Sequence, residues 1–254
     1  MTPAARGVAP SAQKLSHKPT PLPRHTPMKP FLLPAFLGCL LVTIAIANDD
    51  AKTPPINVEV DTTGVPDMKD WTEKAAKVAV DFYPRILQEL GEEGYQKPEK
   101  VRIYVKPDMK GVAYASGNTI TLAPGWFKAN PHDVGAVVHE MCHIVQAYRG
   151  RGNPGWVVEG VADYVRWFVY EPVNKRPRVR NPDKAKYTDS YQTTAAFFNW
   201  IVKTHDKDFV KKLNLACRSG KYDVEIFKTL TKKTVDELWA DFIADVKKPA
   251  EKTK

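Results

Sequence analysis

Ile56, Val58 and Val60 alternate with Asn57 and Glu59, a two-residue period that predicts a short strand. The period then lengthens. Trp71, Ala75, Val78, Phe82, Ile86 and Leu90 recur every three or four positions, which places them on one face of a helix, kinked near Pro84. Val101, Ile103 and Val105 alternate with Arg102, Tyr104 and Lys106, and Val112 to Ala115 and Thr119 to Leu122 flank Ser116-Gly117-Asn118 as a hairpin with Gly in its turn. Asn130 as N-cap, Pro131 at the first helical position and Asp133 at the third predict a helix running to about Tyr148. After a turn at Gly150 to Gly155 comes a helix from Trp156 to Tyr170, stopped by Pro172, and then a basic, Pro-containing loop over 172–186. Four more helices follow: Ser190 to Lys203, Asp208 to Arg218, Tyr222 to Leu230 and Val235 to Lys247, the last opened by a Thr234 and Glu237 capping box. Strands precede helices, so the expected class is α+β, with a small N-terminal mixed sheet and a helical C-terminal half.

Composition changes this picture mainly at the amino end. The chain has 254 residues and a formal net charge of +9, yet its first 47 residues hold five basic side chains and no acidic one. Residues 1–27 are Pro-rich and offer almost nothing to pack, as an extension or a mis-assigned start would. Residues 28–47 read as a signal peptide: Lys29, an uncharged run from Phe31 to Ala47, and an Ala45-Ile46-Ala47 cleavage signal before Asn48. An uncleaved membrane anchor is the minor alternative. A linker over 48–55, a domain over 56–248 and a basic tail over 249–254 complete the expected organisation. An apolar content of 43% excludes a wholly disordered protein, and three Cys exclude a small disulfide scaffold. Cys142 and Cys217 are expected as buried thiols, with a disulfide as the alternative.

The strongest chemical signal is His139-Glu140-Met141-Cys142-His143, inside a helix whose other residues are mostly apolar. Side chains four apart share a helix face, so both imidazoles can reach one Zn²⁺, and Glu140 beside them is placed to act as base on a water. A catalytic zinc takes a third protein ligand, and Glu159 on the next helix supplies one; Asp163, one turn on, is placed to accept the free N–H of a ligand histidine. A rival assignment makes Asp163 the ligand and Glu159 a bystander. His132 and His205 have no partner at ligand spacing and are expected in solvent.

The blocks Ala113 to Asn118, Val138 to His143 with Gln146, Glu159 to Arg166, and Tyr191 with Thr194-Ala195 resemble those of the plant and bacterial basic secretory proteins, from about Val60 to Lys247. The resemblance implies a zincin-like metallopeptidase fold, a secreted protein and a peptide or protein substrate. By further similarity to gluzincins it implies His139, His143 and Glu159 as zinc ligands, Glu140 as base and Asp163 behind a histidine. Cys142, Pro84 and the more basic loop depart from the family pattern, and none touches a ligand position.

A zinc hydrolase also needs a donor for the developing oxyanion. Tyr191 is the candidate, in competition with Tyr148 and Tyr164. Zincin-like proteins run an edge strand above the active-site helix, so Thr119, Ile120 and Thr121 are expected to bind peptide through a free edge. The 172–186 loop is expected in solvent, with at most weak polyanion contact and no specific nucleic-acid partner, and the protein is expected to be a monomer. Two other functions compete with the zinc metallopeptidase: an extracellular binding module with a vestigial or structural zinc site, and a basic polyanion-binding protein.

Overall fold

The computed structural model describes residues 56–148 and 152–248; the expectations for the extension, signal peptide, linker and tail lie outside them. Four strands form one sheet: β1 (Val58–Asp61), β2 (Val101–Val105), β3 (Ala113–Ser116) and β4 (Thr119–Leu122). Its order is β1-β2-β4-β3, with β1, β2 and β4 parallel and β3 antiparallel to β4. The mixed sheet and the α+β class agree with the sequence. The edge does not. Strand β4 pairs on both sides, so the backbone of Thr119, Ile120 and Thr121 is engaged in ladders and offers no free edge. Burial explains the order: Ile120, Thr121 and Leu122 are buried, as an interior strand demands, whereas Tyr114 on β3 is 45% exposed. The edge above the helices is β3.

Among the described residues there are eight α-helices, seven from the same patterns with shifted ends and one, α2, that the patterns did not announce. Helix α1 (Lys69–Leu90) buries Thr72, Ala75, Ala76, Ala79, Tyr83, Ile86, Leu87 and Leu90, so its core face is rotated slightly from the expected one, and Trp71, Val78 and Phe82 sit at the margin. Pro84 is tolerated inside it because its position is exposed, where the carbonyl that loses a partner can face water. A six-residue helix, α2 (Pro124–Ala129), has Pro124 in its first turn, and Asn130 closes its end by donating from Nδ2 to the Trp126 carbonyl, 3.0 Å away. Asn130 therefore does not open the next helix. That helix, α3 (Gly135–Gln146), begins later and without a side-chain cap, which leaves His132 in an exposed turn.

Helix α4 (Gly155–Tyr164) passes into a wider π-helical turn over Val165–Tyr170, in which the Glu171 amide donates to the Arg166 carbonyl five residues back, at 2.8 Å. Then come α5 (Tyr191–Thr204), α6 (Phe209–Arg218), α7 (Ile226–Thr231) and α8 (Val235–Lys247). Ser190 caps α5, and both halves of the expected Thr234 and Glu237 capping box are formed on α8. Helix α7 starts four residues later than expected. Helices α4 and α5 pack closely at Gly160, where a Cβ would lie 2.3 Å from Thr194 Cγ2; only glycine fits. Among the described residues no helix is long and apolar enough to cross a membrane.

Candidate metal centre

The helical spacing of four brings His139 and His143 side by side on α3, and packing of α3 against α4 brings Glu159 to them. Three atoms converge. His139 Nε2 lies 3.1 Å from His143 Nε2, and Glu159 Oε2 lies 3.2 Å from the first and 3.4 Å from the second. An ion with ligands at ~2.0 to 2.1 Å in tetrahedral geometry sets its ligands roughly 3.3 Å apart, so this triangle has the size that such an ion requires.

The hydrogen bonds behind the imidazoles decide what the triangle presents. His139 Nδ1 is 2.7 Å from Asp163 Oδ1. His143 Nδ1 is 2.6 Å from Gln146 Oε1, while Gln146 Nε2 donates to the Val158 carbonyl at 2.8 Å. A carbonyl only accepts, so the amide nitrogen of Gln146 belongs on that side and its oxygen faces the histidine. Both rings therefore hold a proton on Nδ1 and turn Nε2 inward. Two ring nitrogens and a carboxylate oxygen face one another across a space that a proton or a metal ion can bridge. The residues fit a metal ion.

The electrostatics carry the same demand. Burial disfavours the charged form of His139, but hydrogen bonds to Asp163 and Glu159 and the charge of Glu140 outweigh it and raise its pKa to about 9. Burial would raise Glu159, and hydrogen bonds from His139 and His143 instead hold it at about 2. Glu140 is pushed above the usual carboxylate range by burial, against the charges of both histidines and a hydrogen bond from the Ala115 amide. That amide lies on β3, the edge strand beside the cleft.

A cleft of about 1240 Å³ opens over these groups, walled by Ala113, Tyr114 and Ala115 on one side and by Arg166, Trp167 and Tyr191 among others. A family model described as peptidase of plants and bacteria, the BSP family, matches residues 60–242. The chain belongs to this family. No curated protein matches it. Membership in the BSP peptidases implies peptide or protein substrates, and the cleft has the open form that a chain substrate needs.

Of the three tyrosines expected to compete, Tyr191 opens α5 at the cleft, is 54% exposed and makes no side-chain hydrogen bond to the described residues. Tyr148 donates to Asn214 Oδ1 at 2.8 Å, and Tyr164 is buried and borders a separate small cavity with Arg85 and Glu89. Thr119, Ile120 and Thr121 do not line the cleft; Gly117, Asn118 and Ala113 to Ala115 of β3 do. In the basic loop Lys175 pairs with Glu171 at 3.0 Å and Arg176 donates to the Phe168 carbonyl at 3.1 Å, while Asp183 pairs with Lys247 of α8 at 2.6 Å. Cys142 and Cys217 are both buried and free.

Sequence reasoning gave no role to Gln146, the Ala115 amide or Arg218. Gln146 follows His143 by three residues and so shares its helix face, a local signal that could have been read. Arg218 gives none. From the end of α6 it donates to the carbonyls of Gly91, Glu93, Val145 and Gln146 at 2.8 to 3.1 Å, clamping the ends of α1 and α3 together, and this depends on contacts more than 70 residues apart.

Proposed function

We propose that the protein is a secreted zinc metallopeptidase with a zincin-like catalytic domain, in which His139, His143 and Glu159 hold the ion. The triangle of inward-facing ligand atoms carries this reading. When bound there, zinc supplies Lewis acidity, polarising the scissile carbonyl and making a water nucleophilic near neutral pH. Everything else falls to the chain. Glu140 takes the proton from the attacking water and passes it to the leaving amine, a shuttle suited to a carboxyl whose pKa burial has raised. The Ala115 amide keeps that carboxylate in place. Asp163 and Gln146 hold the two imidazoles in the tautomer that binds metal. Tyr191, the unpartnered hydroxyl at the cleft, donates to the oxyanion.

Peptide addition moves from β4 to β3. The Val112 carbonyl accepts from Ala123, so pairing alternates through Tyr114 with Thr121, and the amides and carbonyls of Ala113 and Ala115 turn outward. With the Ala115 amide given to Glu140, the backbone of Ala113 and the Ala115 carbonyl remain for an extended substrate. The uncharged run before Ala45-Ile46-Ala47 supports secretion. Glu140→Gln tests the whole reading. It keeps zinc and fold and loses at least ~10²-fold in peptide hydrolysis; a variant as active as the wild type rules the mechanism out.

A further inference from the structure

The two histidines have different partners behind them: a carboxylate for His139 and an amide for His143. The amide does more than accept one proton. Gln146 is 1% exposed and is the last residue of α3, and its side chain spans from His143 on its own helix to the carbonyl of Val158, the residue that precedes Glu159 on α4. Its own carbonyl accepts from Arg218 Nε at 3.1 Å, and the chain turns into the left-handed region at Ala147, with φ of 47°. Its backbone is thus held by α6 and its side chain by two helices.

We propose that Gln146 is a positioning residue of the metal centre, fixing the proton on His143 Nδ1 and setting the spacing between the histidine-bearing helix and the glutamate-bearing helix. The proposal rests on the metal reading above. Only an amide of this length serves both ends: a carboxylate would face the Val158 carbonyl without a hydrogen to share, and a hydrocarbon would release the His143 ring to rotate and to carry its proton on either nitrogen. Because Gln146 is buried and both bonds are at least partly so, water does not replace them cheaply. The ion would then sense Gln146 without being touched by it.

The experiment is a competitive zinc titration of the purified wild-type protein, Gln146→Leu and Gln146→Asn, with circular dichroism of each metal-free form and visible absorption of each Co²⁺ form. Leucine keeps the bulk and loses both bonds; asparagine keeps the amide but is one methylene too short to span them. Both variants are expected to weaken zinc binding ~10 to 100-fold, the range for residues that orient ligands, and to change the Co²⁺ absorption while the metal-free fold persists. Should the leucine variant fail to fold, the asparagine variant decides. An unchanged Co²⁺ spectrum together with a destabilised metal-free fold would mean that Gln146 serves only the scaffold, and would overturn the proposal. Zinc affinity within twofold of wild type in both variants would overturn it too, with the metal reading left standing. A wild-type protein that binds neither zinc nor Co²⁺ would remove both.

Discussion

The α3 and α4 pair and the helices from α5 to α8 both contribute to the core, but different forces hold them. Around the candidate centre, small and branched residues such as Val137, Val138, Val157, Val161 and Ala162 fill the core, and the positions of functional groups are set by directed polar bonds from Asp163, Gln146 and Arg218. In the C-terminal helices an aromatic cluster does the work: Phe209 and Phe227 have ring centroids 5.3 Å apart, Phe197 meets Trp239 edge-on at 5.3 Å, and Trp156 of α4 stacks toward Phe227 at 6.0 Å. Apolar area is large but non-directional, and hydrogen bonds are modest but specify angle and distance. One region secures that the protein folds; the other secures where three ligand atoms stand.

This contrast can be broken by mutation, and the largest effect should come at the centre itself. Glu159→Ala is expected to remove most of the zinc affinity, whereas Asp163→Ala should cost ~10 to 100-fold, read by competitive zinc titration. The reverse order would make Asp163 the ligand. Phe198→Ala, in a fully buried site between Phe227 and Phe209, should cost about 3 to 5 kcal/mol in denaturant unfolding, yet leave the zinc affinity of the folded fraction within a few-fold of wild type. A large loss of affinity there would mean that the two regions are not separable.

Gly160→Ala probes the seam. The added methyl would meet Thr194 Cγ2 at 2.3 Å, so α4 must move away from α5, at ~1 to 3 kcal/mol and with weaker zinc binding, because Glu159 is the adjacent residue. Unchanged metal binding would show that α5 does not set the position of the ligand helix. The smallest effect belongs to Thr234→Ala, which breaks the capping box of α8 and should cost about 1 kcal/mol with no effect on metal.

How far the sequence could be read follows the same division between local and distant causes. The His139 and His143 pair, the Glu159 and Asp163 pair and the Thr234 capping box are set by spacing along one helix, and each expected juxtaposition is present. Strand order is not local. A hairpin signal locates β3 and β4 but does not say which of them joins β2, and so Thr119 to Thr121 were expected at an edge that belongs to Ala113–Ser116. Asn130 has the chemistry of a helix start, but Pro124 opens a helix six residues earlier and Asn130 becomes its end. Arg218 lies beyond any pattern, since its four carbonyl partners come from two other helix ends.

The central claim is that His139, His143 and Glu159 form one site for one ion. It is tested most directly by metal analysis of the purified protein after dialysis against zinc and then against metal-free buffer, with His139→Ala alongside. About one zinc per chain in the wild type and essentially none in the variant is the expected result. A wild-type protein without zinc, or a His139→Ala protein that keeps it in full, would contradict the account.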